Sequence, residues 1–151
     1  MRVAPLVALL SAVAVVPTAF AGGSASATMH VSVEVVARTV VTIDHQPDVV
    51  TITQQDIDRG YVEVPAAVAF RIRSNANNGY AVQFEPVGYP FSRAKIAWDG
   101  QSAVVSGDGS WLTRPYQPGE QLGSFNVTLD VSPDTAPGTY PWPVRFDANS
   151  L

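Results

Sequence analysis

The chain contains no cysteine. That excludes disulfides, thiolate metal sites, a cysteine nucleophile and a lipid-modified N-terminal cysteine. A small domain without disulfides draws its stability from its core alone. Charge is scarce as well: 15% of the residues are Asp, Glu, Lys or Arg, and the net charge is −4. The nine Lys and Arg form no cluster, so nucleic acid and anionic lipid surfaces find no electrostatic footprint to bind. There are only two histidines, His30 and His45, and no Gly-x-Ser-x-Gly, paired-histidine or phosphate-loop motif. No stretch carries the 3.6-residue apolar period of an amphipathic helix. Together these absences argue against an enzyme and leave no cofactor to expect.

What is present points to a folded all-β domain. The chain has 151 residues, of which 46% are hydrophobic, enough for one domain with a real core. Twelve prolines and eleven glycines punctuate many short segments, the pattern of an all-β chain. Residues 1–21 read as a secretory signal peptide: Arg2 supplies the charge, residues 3–16 are nearly all apolar, and Ala19-Phe-Ala21 offers small residues for cleavage. A second small-residue site, Ala25-Ser-Ala27, follows closely, and either one marks the mature start. The apolar run is too short for the ~20 residues of a spanning helix, so no stable membrane anchor is expected. The protein is therefore expected outside the inner membrane: in the periplasm, on the cell surface or secreted. Residues 22–27 are a flexible Gly/Ser/Ala leader, and residues 28–151 are expected to form a single β-sandwich domain.

Along that domain, Val31, Val33 and Val35 alternate with His30, Ser32 and Glu34 in an N-terminal strand that bends near Arg38. A second apolar run covers residues 40–43, a turn follows at Asp44-His-Gln-Pro-Asp48, and a short strand covers residues 49–52. Thr53 and Gly60 bracket a single helical turn as N-cap and C-terminal stop. The clearest feature is a candidate central hairpin. Val68, Phe70 and Ile72 alternate with Ala69, Arg71 and Arg73, Ser74-Asn-Ala-Asn-Asn-Gly79 forms the link, and Tyr80, Val82 and Phe84 resume the alternation. Residues 94–98 end at the Asp99-Gly100 turn, Phe125 to Val131 alternate cleanly, and the last strand alternates through Tyr140, Trp142, Val144, Phe146 and Ala148. Strands with one apolar face must bury it on another sheet. The expected fold is an Ig-like two-sheet antiparallel sandwich of about seven to nine strands, with a closed barrel as its rival.

Sites for chemistry are thin. Asp44, His45 and Asp48 would make a weak metal group, but a polar turn accounts for them, and no metal is expected. Asp56 and Asp58 read as solvated carboxylates rather than an acid–base pair. Trp98 and Trp142 belong to the core, while Trp111 and Tyr116 are candidate ligand-stacking aromatics. Tyr140 follows Asp134-Thr-Ala-Pro-Gly-Thr139 at the start of a strand. That is the setting of a tyrosine corner, whose hydroxyl bonds backbone a few residues upstream.

The leader, the alternating strand of residues 28–37 and the closing Ala136-Pro-Gly-Thr-Tyr140 strand resemble small pilin-type subunits of archaic chaperone–usher fimbriae and related spore-coat-U-like domains. Members of that family usually carry a cysteine just after the donor strand, where Arg38 stands here. The resemblance implies an Ig-like fold lacking one strand, completed by the N-terminal extension of a neighbouring subunit. It makes Val31, Val33 and Val35 the donor residues, with other copies or related subunits as partners and a periplasmic chaperone among them. In sequence alone a donor strand and an ordinary first strand look identical. Two functions therefore stand side by side: an exported structural or adhesive subunit that assembles by strand addition, and a monomeric binding module for a glycan or protein partner.

Overall fold

A computed structural model describes residues 28–151. The signal segment 1–21, the cleavage residues Ala19, Ala21, Ala25 and Ala27, and the leader 22–27 lie outside the described residues. In chain order the elements are β1 (Thr39–His45), β2 (Val49–Ile52), α1 (Gln54–Arg59), β3 (Tyr61–Ser74), β4 (Tyr80–Phe84), β5 (Phe91–Trp98), β6 (Gln101–Val105), β7 (Ser110–Arg114), β8 (Glu120–Val131), β9 (Gly138–Pro141) and β10 (Phe146–Ser150). The strands form an antiparallel five-stranded sheet in the order β1-β3-β8-β5-β6, a three-stranded sheet β10-β4-β7, and a β2-β9 pair. The fold is an all-β sandwich. It has ten strands among the described residues rather than seven to nine, and the last expected strand is split in two. The run expected from Tyr140 to Ala148 divides into β9, which ends at Pro141, and β10, with Pro143 between them; proline offers no N–H to a ladder.

The alternating side chains meet in one core. Phe70 of β3, Phe84 of β4, Phe125 of β8 and Phe146 of β10 interlock across the two sheets, Phe125 lying 4.3 Å from Phe70, 5.4 Å from Phe84 and 4.9 Å from Phe146 by ring centroid. The geometry is mostly edge-to-face, which favours aromatic pairs beyond the area they bury. Trp98 joins this cluster against Phe70 at 5.1 Å. Trp98 and Trp142 are both buried, 7% and 8% exposed.

Two of the expected elements differ. The runs 68–73 and 80–85 are not a hairpin: β3 lies in the five-stranded sheet and β4 in the three-stranded one. Both edges of β3 are taken, one by β1 and the other by β8, so none remains for β4. The Asn-rich link instead carries the chain from one sheet to the other. Arg71 accordingly pairs with Asp44 on β1 and approaches Glu120 on β8. β3 begins at Tyr61, well before the alternating run, and passes through Pro65. Its pairing with β8 has a register break between Val64 and Val68. Ala66 there adopts φ of 45°, and its N–H is taken by Asn126 Oδ1 at 2.8 Å.

The helical turn forms as its caps direct. Thr53 and Asp56 make a reciprocal capping box, and Gly60 closes the turn at φ of 85°. The hydrogen bonds from Thr53 hold the Asp56 carboxyl below its ordinary range, with Arg59 adding to the effect. No helix among the described residues is long and apolar enough to cross a membrane.

Candidate functional site

Residues 28–38 belong to no strand. The expected N-terminal strand is therefore absent from the sheets among the described residues, although its pattern is that of a strand. Val31, Val33 and Val35 are 74%, 80% and 75% exposed. The described chain becomes a compact unit from Val35 onward, and Asn75 marks its entry. The Asn75 side chain accepts from Arg38 N–H and donates to the Val36 carbonyl at 3.1 Å, while Asn75 N–H bonds the Arg38 carbonyl at 3.1 Å. Arg38 thus sits at a backbone anchor. β1 begins one residue later.

The physical interest of the sandwich lies at its β1/β10 side. β1 is an edge of the five-stranded sheet and β10 an edge of the three-stranded sheet. They approach at one end, where Thr39 Oγ1 and Ser150 Oγ are 3.0 Å apart. Inward side chains here are only partly covered. Val41 on β1 and Phe146 on β10 are half-buried, whereas Phe125 and Ile72 in the middle of the sheet are fully buried. Val40 and Ile43 on β1 are exposed.

Tyr140 sits on β9, and its hydroxyl donates to the Ala136 carbonyl at 2.7 Å, four residues upstream. This ties the 132–138 connection to the strand that follows. Asn126, part of the Asn126-Val-Thr128 tripeptide, spends its side-chain oxygen on the β3 irregularity.

The candidate aromatics separate from one another. Trp111 lies on the outer face of the three-stranded sheet, opposite Gln83 in the ladder, and is 69% exposed. Tyr116 lies in the connection after β7 and is also exposed. Asp44 is engaged by Arg71 Nε at 2.9 and 3.0 Å. Among the described residues no three His, Cys, Asp or Glu side chains gather as a metal group would require.

One site has no counterpart in the sequence reading. An inter-sheet mouth of about 600 Å³ opens where β5 leaves β8, lined by Tyr80, Trp98, Asp99 and Arg114 and rimmed by Gln117 and Gln121. On β7, Leu112 and Arg114 share the inward parity, so a guanidinium occupies a position where alternation calls for an apolar residue. It lies 4.3 Å over the Trp98 ring and pairs with Asp99. Asp99 and Gly100 both have positive φ (48° and 75°) and join Trp98 to its ladder partner Gln101. That is the two-residue Asp-Gly hairpin turn, and it aims Asp99 at Arg114. Burial pushes the Tyr80 phenol above the ordinary tyrosine range, with the nearby Arg114 charge pulling partly the other way. The sequence signal for this site was an arginine two residues beyond Leu112 in strand alternation. It is visible only if the strand is carried past Leu112.

No protein-family model, no curated protein and no solved structure matches this chain.

Proposed function

We propose that this protein is a non-catalytic, exported structural or adhesive subunit that assembles by strand addition. Residues 28–36 of one copy would pair with an open sheet edge of another copy or of a related subunit. One observation carries this reading: a segment with strict strand alternation has no strand partner among the described residues, and its three valines are exposed. Isolated apolar side chains on a surface are ordinary. Three at period two, on an unpaired backbone, are the equipment of a strand awaiting a sheet.

The β1/β10 side is the acceptor that fits. Both strands are edges, and their inward residues Val41 and Phe146 lack full cover. An incoming strand would pair its backbone with an edge and lay alternate valines over these side chains. Val31 to Val35 spans roughly 13 Å at strand rise, comparable with the five residues of β10. Full burial of a valine contributes about 1.5–3 kcal/mol. Three therefore offer roughly 5–9 kcal/mol before the cost of ordering the segment and losing free translation is subtracted. A chaperone that covers the same edge before assembly fits this scheme.

The test is the mass of the exported full chain by light scattering and on unheated denaturing gels. A ladder of integer multiples that collapses on boiling is expected. Val33→Asp should abolish the ladder and leave the melting temperature of the domain unchanged; a ladder that survives this substitution sinks the proposal. A second reading, a monomeric binding module, draws on the exposure of Trp111 on an otherwise polar face. A monomer that melts cooperatively would favour it.

A further inference from the structure

The mouth between the sheets is a polar cavity in a place where a sandwich normally closes its core. From the geometry we infer that it binds a neutral, hydroxyl-rich ligand of one or two rings, a terminal sugar unit, independently of strand addition. Three features carry the inference.

The first is how the cavity is made. β5 pairs with β8 only as far as Ala97 opposite Asn126, and then turns away at Asp99-Gly100. β8 continues back to Glu120 with β3 on one side and no strand on the other. In an antiparallel strand alternate residues turn their N–H and C=O groups to opposite sides. Between Glu120 and Phe125 this leaves backbone donors and acceptors facing the mouth. Gly123 fixes the wall: a Cβ there would lie 2.5 Å from the Phe70 ring and 2.9 Å from Trp98 Nε1. The absent side chain lets Phe70 and Trp98 lie directly against β8, and Trp98 forms that side of the mouth. At about 600 Å³ the cavity is in the range of small-ligand clefts.

The second is charge. Arg114 is the cation lining the mouth and Asp99 the anion, and they pair with each other. The guanidinium is largely buried over Trp98 and already compensated, so an anionic ligand would have to displace Asp99. The site has no net charge to offer an ion.

The third is unspent hydrogen-bonding capacity. Gln121 Nε2 donates to the Pro118 carbonyl at 3.3 Å, which leaves its Oε1 as an acceptor. Asn126 Oδ1 is occupied by Ala66 N–H, which leaves its amide as a donor. Asp99 gives Oδ2 to Arg114 and retains Oδ1. With the Gln117 amide these groups offer both donors and acceptors to the mouth. Vicinal sugar hydroxyls, each both donor and acceptor, match that arrangement.

The experiment is saturation-transfer NMR on the exported full chain, a method that works on monomer and polymer alike. The probes are glucose, galactose, mannose, N-acetylglucosamine, lactose, cellobiose and the anionic N-acetylneuraminate. At least one neutral sugar is expected to bind with Kd on the order of 1 mM. The Gln117→Ala, Gln121→Ala double variant changes only rim residues and should retain the parent melting temperature. It should weaken that binding roughly tenfold or more, as two lost hydrogen bonds require, while Trp111→Ala leaves it unchanged. The inference is overturned by any of four results: no neutral sugar binding at about 20 mM, binding unaffected by the rim variant, binding lost with Trp111→Ala, or N-acetylneuraminate binding more tightly than every neutral sugar. A monomeric protein that binds sugar this way supports the site while removing the strand-addition reading, so the two fail separately.

Discussion

Residues 29–35 and residues 125–131 are written in the same pattern and meet opposite fates. Each alternates apolar and polar side chains through seven residues. In β8, Phe125, Val127, Leu129 and Val131 are buried, and the strand is flanked by β3 and β5. In the N-terminal segment Val31, Val33 and Val35 are exposed, and residues 28–38 belong to no strand. The difference teaches that alternation states what a segment can do once it has a partner. A partner with a free edge decides whether it does so.

The comparison can be broken most forcefully on the buried side. Phe125→Ala should cost about 3–5 kcal/mol of unfolding free energy, because its ring touches four other aromatics. Urea denaturation would measure it, and a loss below about 1 kcal/mol would contradict the central place given to this ring. Gly123→Ala adds a methyl against Phe70 and Trp98 on the same strand. A loss of about 1–3 kcal/mol is expected from overpacking; an unchanged midpoint would show that the rings yield without cost. Tyr140→Phe keeps the ring and removes the bond to Ala136. A loss of about 0.5–1.5 kcal/mol should follow, read as a small shift in the thermal midpoint.

Tyr80 provides a pH test of the region between the sheets. Its phenol is raised by burial, so the folded state favours the protonated form more than the unfolded chain does. The stability this contributes is complete below the unfolded value of about 10 and is lost as pH rises through the folded value. Unfolding midpoints followed from pH 9 to 11 should fall more steeply for the parent than for Tyr80→Phe. Parallel curves would remove Tyr80 as the cause. The smallest effect belongs to the exposed segment. Val33→Ala should leave the unfolding free energy of the domain within about 0.5 kcal/mol. A larger loss would mean that the valine is packed within its own chain, and the contrast with β8 would disappear.

Much of the fold was legible because its signals are local. The capping box of Thr53 and Asp56 and the stop at Gly60 need only neighbours in sequence. The bond from Tyr140 to Ala136 spans four residues, and the Asp99-Gly100 turn needs two. Pairing was less legible. β3 and β4 looked like a hairpin because they are adjacent and alternate in phase, yet β3 prefers β1 and β8, whose partner residues lie about 30 and 60 positions away. The mouth was illegible for the same reason. Arg114, Asp99, Tyr80 and Gln121 come from four separate parts of the chain, and no short spacing announces them.

The sequence by itself determined that this is a β protein with one apolar face per strand, without disulfides and with its turns where Pro, Gly, Asn and Asp collect. It did so because side-chain period and turn chemistry act over a few residues. Only the tertiary structure decided which edges were filled, that β3 and β4 belong to different sheets, that the N-terminal valines have no strand partner among the described residues, and that a compensated arginine lies over Trp98. A strand has two edges, and every candidate neighbour in the chain competes for them. That competition is settled by contacts between residues far apart in sequence.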